Sequence, residues 1–137
     1  MRADLEKEVA SRQPRLIDPQ QRVRLVAALT NIIPKGELTV TWKLFDEEAQ
    51  RFGKQILEAL NEARFDAKEI RGSFGFGIPG QWVLLRDLKK YQTERSWVGE
   101  VQAALNTTTG VIFDGQQMDS TWKPEFGEVS IVVGAKP

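Results

Sequence analysis

The sequence predicts a single α/β domain, a mixed sheet of about five strands with helices on both faces, on three observations. A period-two run, Leu38, Val40, Trp42 and Leu44 against Thr39, Thr41 and Lys43, passes directly into a helical stripe of Ala49, Phe52, Ile56, Leu60 and Ala63. The run Val83-Leu84-Leu85 is apolar on both faces, the mark of a strand in the interior of a sheet. Apolar segments of strand and helix period alternate along the chain with no internal repeat, which is the pattern of one layered core.

The elements follow in order. Residues 2–13 are charged, with Leu5 and Val9 forming one narrow helical stripe. Residues 1–14 are thus expected as a helical coiled-coil remnant or linker, and residues 15–137 as the α/β domain. Asp18-Pro19-Gln20-Gln21 supplies an N-cap, a proline at the first helical position and the glutamine of a capping box. The spacing predicts a helix over 19–33 with Val23, Val26, Ala27, Leu29 and Ile33 inward. Residues 37–45 form the first strand, and Asp46-Glu47-Glu48 caps the helix over 47–63 with acids at its positive end. Residues 68–76 read as a second strand and the Val83 run as a third. Thr93 or Ser96 caps a helix carrying Trp97, Val101, Ala104 and Leu105. Asp114-Gly115 reads as a turn between short strands at 111–113 and 129–133. The helices over 19–33 and 93–106 are expected on one face of the sheet, and the helix over 47–63 on the other. The doubly apolar third strand favours a Rossmann-like arrangement; a ferredoxin-like βαββαβ core is the alternative.

Composition narrows the chemistry. In 137 residues, 19 basic and 19 acidic side chains cancel, so no global field draws the chain to nucleic acid or to an anionic membrane. With no Cys and no His, thiol catalysis, a Ser-His-Asp triad and the usual zinc sites are excluded. Asp119-Ser120-Thr121 lacks the spaced ligands of a calcium loop, so no metal is expected. The stretch Gly75-Phe76-Gly77-Ile78-Pro79-Gly80 fits the spacing G-x-G-x-x-G, but a dinucleotide fingerprint needs a helix after it, and Gln81 to Arg86 reads as strand. Ile78-Pro79-Gly80-Gln81 fits a type II turn instead, and no cofactor is expected. If residues 72–78 are extended, Ser73, Gly75 and Gly77 share one nearly bare face, open to close packing or to a flat ligand.

Ligands of open α/β sheets lie beyond the carboxyl ends of the strands. That rule selects Asp46, Glu48 and Lys136 as candidate binding residues, with Lys136 approaching Asp46 or Glu48, and the bare strip adds Ser73, Gly75 and Gly77. No catalytic residue stands out. The residues by themselves name no reaction or ligand; the expectation is a non-enzymatic interaction or sensing domain, with a small-molecule, nucleotide-like binding domain as the alternative.

Three pieces, Pro14-Arg15-Leu16-Ile17-Asp18-Pro19-Gln20-Gln21, Asp46-Glu47-Glu48-Ala49 with its helix, and Val132-Val133-Gly134-Ala135-Lys136-Pro137, resemble an uncharacterised bacterial family. In that family the module is a C-terminal α/β domain behind transmembrane segments and a charged coiled coil. The resemblance implies a membrane-anchored protein with this domain in the cytoplasm, on the inner face of the bacterial membrane. It implies self-association or a protein partner through the N-terminal helix, with no direct membrane contact by these residues.

Overall fold

The computed structural model describes residues 14–70, 79–87, 89, 97–118 and 124–136. Helix α1 spans Pro19–Thr30, strand β1 Glu37–Trp42, helix α2 Glu47–Glu62, β2 Asp66–Glu69 and β3 Gln81–Leu85. Helix α3 then spans Trp97–Thr109, β4 Asp114–Gln117, a 3-10 turn Pro124–Phe126 and β5 Val129–Val133. The N-terminal stripe, the segment 71–78 and the caps at Thr93 and Ser96 lie outside the described residues.

The five strands form one mixed sheet in the order β2-β1-β5-β3-β4. Strand β1 runs parallel to both β2 and β5, β3 runs parallel to β4, and β3 and β5 are antiparallel. Two parallel pairs, each with a helix between its strands, are therefore joined through β5. The sheet combines parallel pairs of the Rossmann kind with an antiparallel join of the ferredoxin kind. Strand β3 takes the interior place that its doubly apolar sequence requires, and all five residues of β5 are buried.

Register decides which side chains face the helices. Val40, Ile131 and Val83 stand side by side across three strands and join Leu38, Leu85, Val129 and Val133 in the main core. Helix α2 lays Ala49, Phe52, Ile56, Ala59 and Leu60 on this surface, and α3 adds Val98, Val101 and Leu105. Gly53 lets the α2 backbone approach the Trp42 ring, where a β-carbon would fall 2.6 Å from Cε3. Helix α1 packs on α2 and α3 rather than on strands. All three described helices thus gather on one face, whereas α2 was expected opposite the other two. Leu84, Val132, Trp82 and Ile70 on the second face meet Phe126 and Met118.

Local chemistry explains where elements begin and end. Asp18 Oδ1 accepts from Gln21 N at 2.7 Å, while Gln21 Oε1 accepts from Asp18 N at 2.9 Å, completing the expected capping box. Because α1 packs mainly against α2 and α3, its buried face is narrow: Leu25 and Leu29 are buried, but Val23 is 70% exposed and Ile33 is 83% exposed. Both were expected inside. Lys35 Nζ donates to the Thr30 and Ile32 carbonyls and closes the helix end. The fourth strand also differs from expectation. Asn106 Oδ1 accepts from Phe113 N at 2.8 Å and Gln102 Nε2 donates to Phe113 O at 2.7 Å, so α3 side chains occupy that backbone. Pairing begins only at Asp114, whose expected turn with Gly115 is instead the start of β4. The result is an exposed polar edge strand, which resists edge-to-edge association.

Candidate functional site

Parallel strands give the sheet two distinct ends, and the candidate residues divide between them. At the carboxyl end of β1 and β5, Lys43 N donates to Val133 O, and the chain turns at Phe45 with φ 59° into α2. Asp46 Oδ1 accepts from Ala49 N at 2.9 Å and acts as the helix cap. Glu48 is held by Arg15, not by Lys136. Arg15 Nε donates to Glu48 Oε2 at 2.9 Å, Nη2 donates to Oε1 at 2.5 Å, and the Arg15 backbone N–H reaches Oε2 at 2.7 Å. The same guanidinium donates to Gln81 Oε1 at 3.0 Å and Gly134 O at 2.7 Å, and lies 5.4 Å from the Phe52 ring centroid. Arg15 is 6% exposed, so this ion pair ties the lead-in segment, α2, β3 and β5 together at a protected point.

Lys136 lies beyond β5 at this end, where Ala135 O accepts from Gly80 N. Its Nζ is buried without a hydrogen-bond partner among the described residues, so the expected approach to Asp46 or Glu48 is replaced by the Arg15 clamp. A forked guanidinium offers more donors to one carboxylate than an ammonium can, and it reaches Glu48 from both backbone and side chain. Ser73, Gly75 and Gly77 lie outside the described residues. Gly80, the last glycine of that stretch, has φ 110° and leads into β3, as the strand reading requires.

The amino end carries a cleft of about 390 Å³. Glu37 opens β1, Asp66 opens β2, and Glu125 and Glu128 come from the turn before β5. Trp97, at the start of α3, forms part of the wall, with Gly36 and Gly127 along the lining. Gly36 is needed because a β-carbon there would run into the indole. The indole also packs on Phe65, with ring centroids 5.8 Å apart. Among the described residues of the lining, Lys68 stands as one cation against four carboxylates. Glu37 and Asp66 are register partners in neighbouring strands, placing like charges side by side. Among the described residues no group of three acids converges closely enough to hold a metal ion.

The carboxyl-end rule did not select this cleft. A signal for it was nevertheless in the sequence: Glu37, Asp66 and Glu128 each stand at or just before the start of a strand, so parallel alignment brings all three to one edge. Comparison with family models, with curated proteins and with solved structures finds no match to this chain.

Proposed function

We propose that this chain is a non-enzymatic interaction or sensing domain, tethered at one pole and open for recognition at the other. The observation that carries this reading is the opposition of two features. The lead-in segment is fixed by Arg15 at the carboxyl end of β1 and β5, while the cleft opens at the amino end, about 20 Å away along the six residues of β1. The lead-in segment thus enters the domain at the pole opposite the cleft. This geometry suits a domain displayed on a coiled coil at the cytoplasmic face of a bacterial membrane, as the sequence resemblance implies. No described helix is long and apolar enough to cross a membrane. A nucleotide-like ligand fits the cleft less well, because phosphates would face an excess of carboxylates.

A thermal-shift screen of the chain against nucleotides, organic acids and amines tests the reading. The expected result is reproducible stabilisation by one compound class, lost when Glu37→Gln and Glu128→Gln are combined. Turnover of the stabilising compound, or a shift that survives the double variant, would overturn it.

A further inference from the structure

We propose that helix side chains guard both edges of the sheet, and that amide clamps on Ala67 and Phe113 keep the domain from pairing strand to strand with a second copy of itself. The sheet of the described residues ends at β2 on one side and at β4 on the other. In a parallel ladder, alternate residues turn both backbone groups toward the neighbouring strand, and those between them turn theirs away. Ile70 N donates to Val40 O, so by this alternation Ala67 faces away from β1. Met118 N donates to Leu85 O, which by the same count turns Phe113, just before β4, away from β3. Outward backbone groups of this kind are a template for one more strand.

At both edges the first outward residue is already occupied. Asn61, in the last turn of α2, accepts from Ala67 N through Oδ1 and donates to Ala67 O through Nδ2, each at 3.1 Å. One side-chain amide thus makes the two bonds that an added strand would make there. At the other edge Asn106 accepts from Phe113 N at 2.8 Å and Gln102 donates to Phe113 O at 2.7 Å. The two clamps belong to different units, β1-α2-β2 and β3-α3-β4, so the same solution occurs twice with no shared residue. Strands β2 and β4 have four residues each, and an incoming strand denied that first contact has little backbone left to pair with.

The test compares the full chain with its Asn61→Ala and Asn106→Ala variants by amide hydrogen exchange and by light scattering over a range of concentrations. In the unaltered chain the Ala67 and Phe113 amides should exchange slowly although they face away from the sheet. Each substitution should lower protection at its own amide by about two- to tenfold, the scale of one lost hydrogen bond. Each should also make the folded chain associate as its concentration rises. Gly53→Ala, which strains the core at the Trp42 ring and touches neither edge, controls for association caused by lost stability alone. It should stay monomeric where the asparagine variants associate. Asn61→Asp keeps an acceptor for Ala67 N and places a charge on the edge, so it should preserve both slow exchange and the monomer. The exchange measurement on the unaltered chain needs no variant and stands where a substitution prevents folding. Rapid exchange of both amides in that chain, alanine variants that remain monomeric throughout, or a Gly53→Ala control that associates equally would each overturn the proposal.

Discussion

Arg15 and Glu48, 33 residues apart, meet through the backbone and the side chain of the arginine at once. The arginine side chain is 5% exposed and the glutamate 23% exposed, so the two partners are unequal when left alone. Glu48→Gln strands a guanidinium in the interior and should lower stability by about 3 kcal/mol. Arg15→Met leaves a carboxylate that water can still reach and should cost less. Urea denaturation of the two variants checks the order; equal losses would show that packing over Phe52, not charge, dominates the contact.

Two glycines in helices should respond with opposite signs to the same substitution. Gly53→Ala directs a methyl into the Trp42 ring and should destabilise by about 1–3 kcal/mol through overpacking. Gly99→Ala, on an exposed part of α3 with no atom of the described residues within 4 Å of the new methyl, should stabilise by roughly 0.5–1 kcal/mol from helix propensity alone. Thermal melts of both variants read the difference directly.

Thr41 Oγ1 and Lys136 Nζ are buried without a hydrogen-bond partner among the described residues. Each bears a desolvation cost that a similarly shaped apolar side chain avoids. Thr41→Val should therefore be neutral or stabilising, and Lys136→Met should stabilise by about 1 kcal/mol or more. A lower denaturation midpoint for Lys136→Met would mean that the ammonium supports the fold.

Leu5 and Val9 offer too little apolar area to hold a helix by themselves. Light scattering should accordingly find this chain monomeric or weakly dimeric. A tight dimer that persists in a chain of residues 14–137 would locate self-association in the α/β domain rather than in the N-terminal stripe.

Local rules made much of the fold readable. Asp18 and Asp46 announced their helices because a cap is satisfied within three residues, and Val83-Leu84-Leu85 announced an interior strand because burial on two faces needs apolar residues on both. Contacts between distant segments were less legible. Arg15 was not among the candidate residues, since its acceptors come from α2, β3 and the end of β5, far away in sequence. Asp114-Gly115 has turn chemistry, yet the demand of Asn106 and Gln102 for the Phe113 backbone shifts pairing onto it. The face shared by α2 and α3 follows from the strand order and from the opposite directions of β1 and β3, whose crossovers run outward to β2 and β4, and no single strand encodes this alone.

The place of β5 has a consequence for how the molecule comes together. It follows the other four strands in sequence, yet in space it divides the β2-β1 pair from the β3-β4 pair, and its neighbours β1 and β3 reach one another in the sheet only through it. Until β5 has left the ribosome, the earlier segments can form at most two separate strand pairs, each with an open flank. A two-stranded unit is marginal in water, so the gain in stability is concentrated in the final docking step. Synthesis is expected to leave the nascent chain only partly ordered until that segment emerges, and then to complete the sheet in one cooperative closure.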